Sequence, residues 1–402
     1  MTGMEVCLGD IVTIGRGSSP RPIKDEKYFK DGSIPWVKIA DATASGKYII
    51  QTKQFVNEYG ASFSRHLKKG SLIISASGTL GTPYFLGVDA CIHDGWLYFS
   101  DYAGVEPEWL YYKLMTLKEY FNGISYGAAI QNINTDIVRE TKIFLPDLEI
   151  QTKQVQILKS IDELSKTYED RIRIYESVLA ELYNSWFINF KFPNHEQVEF
   201  VDGIPEGWTN VSLKEVISTN PSTLKKGELD EILYVDISSV GQGKIESFTQ
   251  YHIDDAPGRA KRKVQHGDVI WSCVRPNRKQ YALIQNPQSN LIVSTGFTVL
   301  RPTKIPFTYL TALAASDDFC GYLTSVAQGA AYPAVTYKDF EDYELLLPPK
   351  SLLDKFHEVV EPMYEQIHIL QTQNQKLHDL KETLLPRLMS GELDVSKLSS
   401  IE

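Results

Sequence analysis

Arg259, Lys261, Arg262, Lys263, Arg275, Arg278 and Lys279 crowd into twenty-one residues against a single acid, Asp268. Asn277 and Gln280 lie among and beside them. Lys and Arg neutralise phosphates and give salt-dependent affinity, while Arg, Asn and Gln can bond two atoms of a base edge. The first half of the chain carries smaller groups of the same kind. Arg16, Arg21, Lys24 and Lys27 flank a Gly/Ser/Pro-rich loop, and Arg65, His66, Lys68 and Lys69 form a second cluster. A solvated charged face is the plainer explanation of any charge run. The later run, however, interleaves with Trp271, Pro276 and Tyr281 and falls at a duplicated position, which favours nucleic-acid contact.

Residue patterns for catalysis are sparse. There is no Walker-type phosphate loop, no HExxH and no Asn/Asp-Pro-Pro-aromatic motif, the last of which an amino-methyltransferase would need. Cys91, His93 and Asp94 suggest a metal corner but lack a second ligand pair, so a buried strand is the better reading and no metal is expected. Pro146-Asp147 with Glu149 and Lys153 approximates a nuclease signature at the wrong spacing, and the matching place later reads Pro348-Pro349-Lys350. Gly78 and Gly81 read as a turn. No catalytic residue is assigned.

The elements that must position the basic groups are written twice. Gly127-Ala128-Ala129 recurs 202 residues later as Gly329-Ala330-Ala331, and Leu145-Pro146 recurs at the same offset as Leu347-Pro348. Ile34, Val37 and Ile39 match Ile232, Val235 and Ile237; Gly70, Ile73 and Ser75 match Gly267, Ile270 and Ser272. These are strand candidates, rich in Val and Ile and punctuated by turn residues. Trp109 to Tyr120 is a helix candidate. Small residues around each Gly-Ala-Ala permit close backbone approach, and a tight internal turn explains them equally well; by residue chemistry Gln131, Asn132, Tyr332 and Lys38 join the contact candidates.

From Glu149 to Phe190 there is neither Gly nor Pro. A stripe runs through Leu158, Ile161, Ser165, Tyr168, Ile172, Tyr175, Leu179, Leu182 and Trp186; only Ser165 is polar. The later copy reads Val360, Met363, Ile367, Leu370, Asn374, Leu377, Lys381, Leu384 and Leu388, each 202 residues after its partner. Nine positions spread over 28 residues give a mean step of 3.5, the coiled-coil period. Two separate helices, each covering its own domain, are the plainer alternative, but four heptads outrun a small domain. About 36 residues at ~1.5 Å each span about 54 Å. An internal pseudo-two-fold requires antiparallel pairing, with a globular domain toward each end. A single buried Asn such as Asn374 fixes register. Pro386 is expected to kink or stop the second helix. The connector from Phe192 to Leu213 reads as loop and turns.

The expected fold is therefore mixed α/β: two globular α/β domains joined by two long helices in an antiparallel coiled coil. The boundaries are 1–148, 149–192, 193–349 and 350–402. The 402 residues carry 41 Lys+Arg against 51 Asp+Glu, a net charge of −10. That sum excludes a uniformly basic coat, though not a local basic face, because fields act over about 8–10 Å. Four scattered cysteines without a CxxC pair suggest reduced thiols. No signal pattern and no run of ~18 apolar residues appear, so a cytoplasmic protein without membrane contact is expected.

Local motifs extend this reading. They are Ile34-Pro35-Trp36-Val37-Lys38-Ile39, Gly127 through Asn134, Trp186-Phe187-Ile188-Asn189-Phe190, Gly203-Ile204-Pro205-Glu206-Gly207-Trp208, and Leu385-Pro386-Arg387-Leu388-Met389-Ser390-Gly391-Glu392-Leu393. Taken in order, over essentially the whole chain, they resemble the specificity subunits of type I restriction-modification systems. The resemblance implies two target-recognition domains reading an asymmetric, bipartite site in double-stranded DNA, with helices that set the unread spacer. It implies two modification (methyltransferase) subunits that bind S-adenosylmethionine and methylate adenine, and restriction subunits that use Mg2+ and ATP. This chain would then be non-catalytic and without a cofactor. A coiled-coil scaffold with no DNA role is the competing function, and a salt-dependent gel shift would separate the two.

Overall fold

Leu72–Ser75 is buried along its whole length, which places it in the middle of a sheet and not at an edge. In the computed structural model, which describes residues 3–43, 45–125 and 132–398, this strand is central in a five-stranded sheet. The order is Thr13–Arg16, Trp96–Ser100, Leu72–Ser75, Pro83–Leu86, Tyr48–Ile49. A four-stranded sheet follows the order Phe55–Val56, Ile34–Val37, Ala90–Ile92, Arg65–Leu67. Its middle pair is parallel. Gly3–Cys7 pairs antiparallel with Lys142–Pro146. Trp36, Trp96, Trp109 and Tyr112 are fully buried.

The chain divides into two units, Met1–Lys166 with Gln375–Glu402, and Thr167–Asn374. Those strands belong to the first unit. The second repeats this order, with a single parallel bridge, Gln242 to Tyr281, where the first has the edge strand Tyr48–Ile49. Thr209–Ser212 pairs with Glu344–Leu347. One sheet runs Ile217–Thr219, Phe297–Pro302, Val269–Ser272, Tyr281–Leu283; the other runs Thr249–His252, Glu231–Val235, Leu291–Ser294, Ala260–Lys263. Its middle pair, Glu231–Val235 with Leu291–Ser294, is again parallel. Gly70 and Gly267 open the central strands at φ +86° and +85°, a conformation that favours glycine.

Both units contain pieces of two long helices, Leu148–Tyr183 and Lys350–Ser390. In the first unit Gln154 Nε2 donates to the Leu388 carbonyl at 2.6 Å, and Lys381 pairs with Asp162. In the second, Trp186 packs edge-on against Phe356 at 5.6 Å, and Leu179 and Tyr183 share a core with Val360, Tyr364 and Ile367. Numbers rise along one helix as they fall along the other, so the pairing is antiparallel in both. All of the stripe positions are buried or half-buried, Ser165 and Lys381 included. Asn374 Oδ1 is buried without a hydrogen-bond partner among the described residues, a cost of the kind a register-fixing polar residue carries.

Several expectations are corrected. The first helix does not continue regularly to Phe190; after Tyr183 it widens into a π-turn, Asn184–Ile188, with Asn189 N–H bonding the Asn184 carbonyl at 2.8 Å. The turn swings Trp186 and Phe187 together into the core. Pro386 does not stop the second helix, because Leu388 and Met389 just beyond it are buried and anchor its last turn. Pro362 is carried within the same helix. Trp109 to Tyr120 is two helices, Pro107–Thr116 and Lys118–Ser125, meeting at Leu117. Ile39 and Ile237 leave their strands for a short helix and a 3-10 turn, where Asp41 and Asp236 accept N–H bonds from Lys38 and Ser239. The connector holds a hairpin, Phe200–Val201 with Ile204–Pro205, closed by Asp202 and Gly203 at φ +51° and +80°. All four cysteines are free thiols. No helix among the described residues is long and apolar enough to cross a membrane.

Candidate nucleic-acid interface

In both units the segment after the central strand is pinned by the segment that follows Gly-Ala-Ala. In the first unit Ile133 N–H donates to the Ala76 carbonyl at 2.9 Å, and Asn132 bridges Ser77. In the second, Val335 N–H donates to the Cys273 carbonyl at 2.9 Å, and Ala334 bridges Val274. Ile133 and Val335 are buried anchors. Asn134 then accepts the Asp136 N–H, and Thr336 makes a reciprocal cap with Asp339, so a helix starts at the same place in each repeat. Tyr126 through Gln131, including the Gln131 candidate and Gly127-Ala128-Ala129, lie outside the described residues.

In the second unit the pinned loop presents the later part of the basic run. Arg275 has φ +51°, its N–H bonds the Pro333 carbonyl at 2.7 Å, and its guanidinium stacks 4.7 Å from the Tyr332 ring centroid. Tyr332 is 69% exposed, so this stack stands at the surface. Sequence places these two residues far apart; the fold makes them one group. Asn277 and Arg278 are exposed on the adjoining 3-10 turn, and Arg259 and Lys261 are exposed beside and on the strand Ala260–Lys263.

Other candidates are engaged by the protein itself. Gln280 Nε2 donates to the Ile237 and Val240 carbonyls at 3.1 and 2.9 Å. Lys263 pairs with Glu228, whose carboxyl is held low by the Lys225 N–H and by Lys263. Lys279 pairs with Asp317 at 2.6 Å. Arg262 is half-buried; burial pushes its pKa down, and its Nε has no partner among the described residues. Asp268 is fully buried and bonded bidentately by Arg301 at 2.7 and 2.6 Å, so the one acid of the run does not oppose its surface charge. Trp271 is core, its indole N–H donating to the Ala314 carbonyl at 3.1 Å.

In the first unit Asp94 gathers the loop residues. Arg16 Nη1 donates to the Asp94 carbonyl at 3.0 Å and Nη2 to the Ile133 carbonyl; Ser19 Oγ donates to Asp94 Oδ1 at 3.0 Å, and Arg21 pairs with the same carboxylate. His93 accepts the Gly95 N–H on Nδ1 at 2.7 Å, and burial lowers its pKa, so the ring is neutral with its proton on Nε2. Cys91 is buried within its strand, its thiol pushed up to about 11 by burial. Lys38 lies 5.0 Å from the Trp36 ring, Arg65 lies 5.3 Å from Tyr98, and Lys68 and the Lys69 N–H both hold Asp89. Lys24 is exposed. Sequence reasoning missed an aromatic group here. Tyr59 and Phe63, 54% and 44% exposed, pack on Tyr28, whose hydroxyl donates to the Arg21 carbonyl at 2.8 Å. The signal was two aromatics at i and i+4 in an otherwise polar stretch.

The motifs that carried the resemblance also meet. Phe190 packs edge-on against Trp208 at 5.2 Å, joining the end of the first helix to the start of the second repeat. In the first unit Lys113 Nζ donates to the Met389 carbonyl at 2.8 Å, so the late Leu-Pro-Arg-Leu-Met segment is held there.

Residues 2–173 and 205–379 match the family described as the type I restriction modification DNA specificity domain, once per repeat. The type I restriction enzyme MjaIX specificity subunit of Methanocaldococcus jannaschii is 26% identical over 97% of this chain and 93% of its own length. The MjaVIII specificity subunit of the same organism is 21% identical over 98% of this chain and 93% of its own. In fold, the chain is similar to a crystal structure of a type I restriction-modification S subunit from M. genitalium, with TM-score 0.61, 14% identity, and coverage of 98% of this chain and 97% of that one. Nothing in these relatives supports a scaffold without DNA recognition.

Proposed function

The chain belongs to the family of type I restriction modification DNA specificity proteins, and from that premise we propose that its two repeats read two unlike halves of one split DNA target. DNA sequence recognition within a restriction-modification system is the function common to the family. The observation that carries the finer reading is the duplicated pin, Ile133 to Ala76 and Val335 to Cys273, which holds an equivalent loop in each repeat. In the second repeat this loop carries Arg275 on Tyr332, a preset planar fork for a guanine edge. Lys261, Arg259 and Arg278 neutralise nearby phosphates, and in the first repeat Lys24, Arg65 and Lys69 do the same. Exposed Tyr59 and Phe63 supply apolar contact to sugar or thymine methyl.

The paired helices set the number of unread base pairs between the half-sites. Two modification subunits bring S-adenosylmethionine and methylate adenine, and restriction subunits bring Mg2+ and ATP. This chain contributes recognition and no catalytic group. The test is expression with the partner modification subunits, followed by genome-wide mapping of methylated adenine. Two different short sequences at one fixed separation are expected; methylation at a single uninterrupted sequence overturns the reading.

A further inference from the structure

The second unit contains a cavity of about 490 Å3 that the DNA reading does not use. It opens between the two long helices and the strand Tyr281–Leu283, and its size suits a small organic molecule. Its walls are aromatic and acidic. Tyr183 and Tyr364 line it while only 5% and 8% exposed, and neither hydroxyl has a hydrogen-bond partner among the described residues. Both hydroxyls are therefore left to whatever enters the cavity. Of the three acids in the wall, Asp317 is paired with Lys279 and Asp318 accepts the Tyr343 hydroxyl at 2.6 Å. Glu176 alone makes no ion pair or hydrogen bond among the described residues. Its carboxylate converges with the Tyr281 hydroxyl. A Cβ placed on Gly243 would lie 3.6 Å from Glu176 Oε1 and 3.5 Å from Tyr281 Oη, and glycine leaves that space open.

We infer that this cavity binds a small organic ammonium ion, with its apolar body against Leu179, Leu283 and Ile367 and its charge at Glu176 and the tyrosine hydroxyls. A carboxylate beside tyrosine hydroxyl oxygens suits a cation on two counts, charge and hydrogen bonding. Burial raises the Glu176 pKa, with Lys244 and Arg173 opposing. The neighbouring cations are paired with other acids, Arg173 with Asp170, Lys244 with Glu246 and the wall's own Lys279 with Asp317.

Calorimetric titration of the full chain with phenethylamine, and with 2-phenylethanol as its uncharged counterpart, tests this. One site is expected, at least tenfold tighter for the amine. Glu176→Gln is expected to weaken the amine about tenfold and leave the alcohol unchanged. Ala180→Trp, on the exposed helix wall, fills the space and abolishes both. Glu176 and Ala180 are exposed, so unchanged melting of both variants verifies that they fold. Equal affinity for the two probes, no binding of either, amine binding indifferent to Glu176→Gln, or binding that survives Ala180→Trp overturns the inference.

Discussion

Arg275 and Gln280 stand five residues apart around one turn and do opposite things. Half-buried Arg275 stacks on exposed Tyr332 with its guanidinium free of any ion pair among the described residues, while the Gln280 amide is spent on two backbone carbonyls. Arg275→Ala should leave stability within about 0.5 kcal/mol and cost DNA binding by about 1–3 kcal/mol, with relaxed specificity in one half-site only. Gln280→Ala should instead cost about 1–2 kcal/mol of stability, since two carbonyls lose their donor. Urea melts and DNA titrations of the assembled complex read the two effects separately; equal losses in both assays for both variants would refute the division. Residue chemistry alone could not separate them, because it does not say which carbonyls a side chain will meet. The same holds for Arg16, tied to Asp94 and Ile133, and for Trp271, which is core. His93 gives a pH prediction. Its pKa is depressed by burial, so below the ordinary value of 6.5 the unfolded chain takes up the proton first. Stability from this group is complete above pH ~6.5 and is lost as pH falls through the depressed value. The melting temperature should fall between pH 7 and pH 5 by less in His93→Asn, whose amide oxygen can still accept the Gly95 N–H; an identical fall in both proteins would exclude His93.

At the scale of elements, the long helices were the most legible part of the chain. A 3.5-residue period needs only side-chain polarity, and every position it selected is withdrawn from solvent. Element ends were legible only where a turn residue forces them, as at Gly70 and Gly267. The π-turn at Asn184–Ile188 and the passage of the second helix through Pro386 depend on long-range burial of Trp186, Phe187, Leu388 and Met389, which no local pattern announces. The parallel central pairs were equally hidden, because strand direction is set by connections and not by composition. The helix pairing carries its own prediction. Gln154 lies opposite Leu388 and Asp162 opposite Lys381, so removing residues 160–166 together with 376–382 deletes one facing heptad from each helix and keeps the register. Each helix shortens by about 10 Å, or roughly three base pairs of B-DNA. Adenine methylation mapping should find the same half-site bases at a spacer reduced by about that number, or no methylation at all. Changed bases at the original spacing would refute the role of the helices.

For the whole molecule, duplication sets the symmetry of the target. The repeats share strand order and direction in both main sheets apart from the edge strand Tyr48–Ile49, so most of what differs between them lies in loops and surface side chains. On the bipartite reading proposed above, identical surfaces on the two repeats would demand two identical half-sites in inverted order. The surfaces are not identical: the second repeat offers Arg275 on Tyr332, whereas the first spends Arg16 on backbone carbonyls and exposes Tyr59 and Phe63. Strand register identifies where one reader can be exchanged for the other. Met4 pairs with Leu145 in the first repeat as Thr209 pairs with Leu347 in the second. Replacing residues 209–347 by a second copy of residues 4–145 therefore joins the chain across an equivalent strand pair and leaves both long helices intact. That protein, assembled with its modification subunits, should methylate an inverted repeat of the first half-site at the natural spacing. Recovery of the natural asymmetric site would show that the exchanged residues do not read DNA.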